Sequence, residues 1–184
     1  LRFMMDAAAY TRCYDSIAGR IAPRLPENCT LCDAGCGPGF LSLALAPHCK
    51  RVLAIDNSRA ALDALEEMMV QRGEDKVAVR CRDVFSYGFA EPVDAVVFSF
   101  FGGVEETLSL LKRNDIAQGF LIKKDWKTRR YTGEHTMPER FTFGYARETL
   151  RHMEIPFEAE QFTLDMGQPF RTEQDAACFY GLYA

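Results

Sequence analysis

The chain has 184 residues, 48% hydrophobic and 26% charged, a balance that fits one globular domain with a full-sized core. Its net charge of −4 and pI near 5.5 speak against a protein that binds nucleic acid mainly through phosphates. No long uncharged apolar run is present, so no membrane-spanning helix is expected, and Leu1-Arg2-Phe3-Met4-Met5 meets Asp6 too soon to be a signal peptide. Seven cysteines, an odd number without an export signal, read as reduced thiols in a cytoplasmic protein. The chain opens on Leu1 rather than Met, which leaves its natural start open.

Apolar groups at helical spacing (Ala9, Tyr10, Cys13, Tyr14, Ile17, Ile21) predict a helix over residues 6–22, ending near Pro23 and Pro26. Residues 30–33 form a short strand that runs into a glycine turn, and residues 40–45 a helix. A buried strand follows at 51–56. Asn57 or Ser58 can then cap a helix whose apolar face is Leu62, Leu65, Met68 and Met69. Alternation predicts a third strand over 76–82. A nearly all-apolar fourth lies at 93–98, a helix at 104–111 and a fifth strand at 119–122. Residues 139–153 suggest a helix interrupted by Gly144, and 157–164 alternate as a sixth strand. Strands separated by helices imply an α/β fold: a doubly wound, mostly parallel sheet with helices on both faces. We expect one domain over 1–184, with an N-terminal helical cover over 1–25.

In such sheets ligands bind beyond the carboxyl ends of the strands. The first strand ends in Asp33-Ala34-Gly35-Cys36-Gly37-Pro38-Gly39-Phe40, a turn whose glycines allow close backbone approach to a ligand. Asp56 ends the second strand, where a carboxylate can accept both hydroxyls of a ribose. Asp83 follows the third, before Val84 and Phe85, where a carboxylate can accept from an adenine amino group. Each aspartate alone is most simply a turn former or helix cap. A dinucleotide-dependent oxidoreductase would want Gly-x-Gly-x-x-Gly, but here the third glycine comes one residue early with Pro38 inside the turn.

Together these motifs resemble the class I S-adenosylmethionine-dependent methyltransferases over about residues 8–170. Asp33, Gly35, Gly37 and Gly39 match the first motif of that family, Asp56 its ribose-binding acid and Asp83 its adenine-facing acid. Asp94-Ala95-Val96-Val97-Phe98-Ser99 matches its fourth-strand motif. The resemblance implies S-adenosylmethionine as cofactor and S-adenosylhomocysteine as product. It implies a cofactor site built from Asp33, Gly35, Cys36, Gly37, Gly39, Asp56, Asn57, Asp83, Val84, Phe98 and Tyr14. The loop after Gly35 would hold the methionine half, beneath the helix carrying Tyr10 and Tyr14. The family also adds an antiparallel seventh strand. Here Thr172-Glu173-Gln174-Asp175 resembles a capped helix start, so either 173–183 is helical and that strand is missing, or residues 177–183 form the last strand.

Tyr10, Ser99, Phe100, Phe101, Trp126, Lys127 and Arg129 are the candidate acceptor-site residues. The basic run from Lys123 to Arg130 can be a solvated loop or a site for an anionic group with Trp126 as a stacking surface. Phe100 and Phe101 can line an apolar acceptor or belong to the core. The loop after Phe98 lacks the Asn/Asp-Pro-Pro-aromatic motif of many enzymes that methylate nitrogens of nucleic acids and proteins. With the net charge, this favours a small-molecule acceptor over nucleic acid. No catalytic base is identifiable. Cys29, Cys32 and Cys36 are read as small buried side chains, not metal ligands, because Cys32 in the strand and Cys36 in the turn should point apart. His48, His152 and Glu134-His135 form no recognisable ligand set. A non-catalytic cofactor-binding scaffold or partner subunit is the alternative reading. Acceptor, methylated atom and oligomeric state are not legible in the sequence.

Overall fold

The computed structural model describes residues 2–125 and 138–183. Its strands are β1 (Thr30–Ala34), β2 (Arg51–Asp56), β3 (Val77–Cys81), β4 (Ala95–Ser99) and β5 (Gln118–Ile122). They form one sheet in the order β3-β2-β1-β4-β5, every neighbouring pair parallel. Parallel pairing demands crossovers, which α3 (Phe40–Leu45), α4 (Arg59–Arg72) and α5 (Val104–Arg113) help to supply. Because side chains alternate along a strand, β1 sends Leu31 to one face and Cys32 and Ala34 to the other. On the first face Leu31, Val52, Ala54 and Val97 pack with Leu41 and Leu45 of α3, and with Leu62 and Leu65 of α4. Ile17 and Ile21 of α2 (Cys13–Ile21) join that cluster. Opposite, Ile55, Val96 and Phe98 pack with Leu110 of α5. The helices change face between β3 and β4, so the winding reverses at β1 and β4, where a crevice opens at the carboxyl ends.

Ser58 closes the start of α4, accepting from the Ala61 N–H at 3.3 Å, and Gly73 ends it at φ +64°. The expected helix over 6–22 is in fact two. Arg12, at φ +50°, separates α1 (Arg2–Thr11) from α2, and α1 buries no residue in the core. It packs instead against α7 (Glu173–Tyr183), with Phe3 edge-on to Phe179 at 5.3 Å and Arg2 paired with Asp175 at 2.5 Å. Helical spacing alone did not show this break, because Arg12 carries no glycine or proline signal. Gly144 interrupts nothing: the turn Glu139–Phe141 precedes an unbroken α6 (Phe143–His152), capped by Thr142.

The expected sixth strand does not form. Residues 157–164 have no regular secondary structure, and residues 173–183 are helical, so the described residues supply five strands rather than six or seven. Side chains hold this segment. Glu160 pairs with Arg20 and Arg24, and the Gln161 amide donates to Asp125 at 3.0 Å. Phe162 lies under the Arg20 guanidinium at 4.2 Å. Between this segment and β5 is a cleft of about 950 Å³, lined on its walls by Leu121, Phe143, Leu150 and Phe162.

Candidate functional site

The turn after β1 is held almost wholly by its own backbone. Gly35 and Cys36 N–H donate to the Ile55 carbonyl at 2.8 and 3.0 Å, and Gly39 N–H donates to Cys36 at 2.9 Å. Gly37 N–H donates to Asp56 Oδ2 at 2.8 Å, while Asp56 Oδ1 accepts from Ser58 N–H at 2.8 Å. One carboxylate therefore ties the glycine turn to the start of α4, and its remaining lone pairs stay available to hydroxyl donors. Gly35, Gly37 and Gly39 all have positive φ, and at Gly35 and Gly39 a Cβ would also meet a neighbouring side chain. Gly35 is at φ +68° with the Phe101 ring 2.5 Å from where a Cβ would stand, and Gly39 at φ +71° with Leu65 at 2.4 Å.

Asp33 stands behind the turn rather than in it. It is buried and accepts from Ser42 Oγ at 2.6 Å and from the Ser42 backbone N–H. Burial pushes its carboxyl up to about 6, with the Ser42 bonds opposing and the Asp56 charge adding. Burial likewise raises the Cys36 thiol well above its ordinary range, helped by Asp33 and Asp56. Tyr14 packs on Phe40 at 5.4 Å, its phenol raised to about 12, chiefly by burial. Tyr10 is on α1, beyond the break, and is 69% exposed. Asn57 is exposed beside Asp56.

Asp83 is exposed beyond β3, and its Oδ1 accepts from Phe85 N–H at 3.0 Å, which starts the turn that buries Val84. Phe85 then joins a stack with Phe98, buried at the end of β4, and with Phe101. Asp94 lies at the other end of β4, where it accepts from Thr30 N–H at 2.7 Å. The structure thus gathers Gly35, Cys36, Gly37, Gly39, Asp56, Phe98 and Phe101 at one mouth of the sheet. Asp83 and Asn57 lie on its rim, and Asp33 sits beneath.

Past β4 the backbone is strained: Phe100 has φ +56°, a conformation that costs a bulky residue about 1–3 kcal/mol. Ser99 Oγ is buried there with no hydrogen-bond partner among the described residues. Lys123, directly after β5, donates to the carbonyls of Phe101 at 2.9 Å and Gly102 at 2.5 Å. Burial lowers its ammonium, opposed by the charge of Glu106. Sequence reasoning placed Lys123 only in a basic run. The strongest available signal was the Phe-Phe-Gly-Gly turn, whose carbonyls need a donor. Phe100 borders the cleft beside β5 as well. Trp126, Lys127, Arg129, Glu134 and His135 lie outside the described residues.

The cysteines part company: Cys29 donates its thiol to Cys49 Sγ at 3.8 Å below the sheet, Cys32 is inside β1 and Cys36 in the turn. Among the described residues no group of three or more His, Cys, Asp or Glu could hold a metal ion, and no helix is long and apolar enough to cross a membrane.

The order of the parallel strands and the glycine turn after β1 give the α/β fold of the class I methyltransferases. Residues 31–114 match the family model described as a methyltransferase domain. The cypemycin N-terminal methyltransferase of a Streptomyces species is 32% identical over 129 residues, 59% of this chain and 51% of that protein. The chain therefore spans about half the length of that curated relative. The fold is shared with magnesium protoporphyrin IX methyltransferase of Synechocystis, solved with S-adenosylmethionine bound (TM-score 0.56, 18% identity, 78% of this chain and 67% of that one). A Clostridium thermocellum protein described as a candidate rRNA methylase has a TM-score of 0.52 at 20% identity, over 76% of this chain and 77% of its own.

Proposed function

We propose that this chain binds S-adenosylmethionine across the glycine turn and directs methyl transfer to a small-molecule acceptor. The observation that carries the reading is the hydrogen bonding around Asp56. The N–H groups of Gly35, Cys36, Gly37 and Gly39 are all committed within the fold. A dinucleotide pyrophosphate would need such donors free, whereas a nucleoside needs acceptors. Asp56 offers acceptors to ribose hydroxyls and Asp83 to an adenine amino group. The open space beside Gly37 and the part-exposed Phe101 ring suit the uncharged parts of the cofactor. When bound, S-adenosylmethionine supplies a methyl carbon on a sulfonium, an electrophile that carries its own leaving group. The chain's part is then to align the acceptor and exclude water, without need of a dedicated base.

The net charge of −4 supports a small acceptor over nucleic acid, and seven cysteines suit a reducing compartment, the cytoplasm. Calorimetry with S-adenosylhomocysteine tests the reading. The folded chain is expected to bind it, and Asp56→Ala to weaken binding by about 1–3 kcal/mol. Binding of a nicotinamide dinucleotide in its place would defeat the proposal. Label carried from methyl-labelled cofactor into RNA, rather than into metabolites, would defeat the acceptor class.

A further inference from the structure

Between Ser99 and α5 the chain reverses in residues 100–103, with Phe100 at φ +56° and Gly102 at φ +67°. A bulky residue stays in that region only when its surroundings over-determine it. Here the surroundings include a cation from the residue that follows β5. Lys123 Nζ donates to the carbonyls of both Phe101 and Gly102. The ring lies flush on Gly35, 2.5 Å from where a Cβ would stand. It is nearly parallel to Phe85, 17° off at 5.5 Å, and to Phe98, 6° off at 6.5 Å. Nothing can insert between Phe101 and Gly35, so a ligand on the glycine turn must lie beside the ring. With 36% of Phe101 still exposed, the ring offers an apolar surface there.

We propose that Lys123 is a positioning residue for the methyl-donor site: through the Phe101–Gly102 carbonyls it holds the Phe101 ring as the wall of the glycine turn. This rests on the reading that the turn holds the cofactor. A charge just past β5 thereby sets the boundary of a site just past β1, across β4. Replacement of the ammonium frees the two carbonyls, lets the strained turn relax and withdraws the wall. Arginine, with several donors in a fork, can still reach both carbonyls.

The test is a double-mutant cycle on the full chain, read by calorimetry with S-adenosylhomocysteine. K123M and F101A should each weaken binding about 10-fold, while K123M in the F101A background should cost less than about 3-fold more. K123R should stay within about 3-fold of the unaltered chain. A second readout needs no ligand. The Phe101 ring resonance, assigned by its loss in F101A, should move in K123M and return in K123R. A K123M chain that binds as tightly as the parent overturns the proposal, and so does an equal loss in both backgrounds or an unmoved Phe101 resonance. Should K123M fail to fold, K123Q is judged by the same criteria. If the unaltered chain binds no S-adenosylhomocysteine while the Phe101 resonance still moves in K123M, the cofactor reading and the site role are defeated and only the Lys123–Phe101 coupling is retained.

Discussion

The two flanks of β1 are built by different means. On the side of β2, backbone and one carboxylate close every donor of the glycine turn, and the residues beneath are almost all buried. On the side of β5, the sheet of the described residues ends, and residues 157–164 opposite are held by side chains at the rim of a cleft. Rigid backbone geometry serves a ligand of fixed shape, whereas side-chain contacts at the rim of a cleft leave room for variation. The function proposed above would put the cofactor on the first flank and leave the second for the acceptor.

The comparison can be broken most sharply with the same substitution on each flank. Gly39→Ala forces a Cβ into Leu65 at a positive φ, and should destabilise the fold by about 2–5 kcal/mol from strain and overpacking together. Gly144→Ala, in α6 with no atom near its Cβ, should instead stabilise by about 0.5–1 kcal/mol. Urea denaturation of both variants decides; similar losses at the two sites would erase the contrast.

A smaller effect concerns Asp33. Its native carboxyl titrates at about 6, above the ordinary 3.8, so between those values the native state holds a proton that the unfolded chain has released. Stability from this group is therefore present at low pH and falls as pH rises through about 4 to 6, by about 3 kcal/mol at most, then levels off. Asp33→Asn should flatten that part of the stability profile, measured as denaturation midpoints against pH. An unchanged slope would mean that another group is responsible. The smallest effect belongs to the β5 flank: Glu160→Gln loosens the ties to Arg20 and Arg24, both about half exposed, and should cost below about 1 kcal/mol, less in high salt.

Much of the glycine-turn flank was legible because its signals are local. Asp33 to Gly39, Asp56 and Asp83 each lie at or just past the end of a short strand, and apolar runs or alternation mark β1 to β5 within a residue or two. What Asp56 does to Gly37 was not legible, since the bond spans 19 residues and depends on strands lying side by side. Phe157 to Leu164 misled for the same reason: alternation records which side chains are buried, but a strand also needs a partner edge, which no local pattern encodes. Phe162 and Leu164 do pack on the core, so the alternation was real and the pairing was not. The break at Arg12 is another long-range effect, because α1 is drawn to Phe170 and Phe179 near the other end of the chain.

The commitment of Gly35, Cys36, Gly37 and Gly39 N–H groups has a thermodynamic side. Ordering a residue costs about 1–2 kcal/mol of conformational entropy, and for this turn that cost falls on folding rather than on ligand binding. A ligand settling there meets a surface already at rest and has little main chain to immobilise. On the function proposed above, selectivity at the turn comes from shape and from the lone pairs of Asp56.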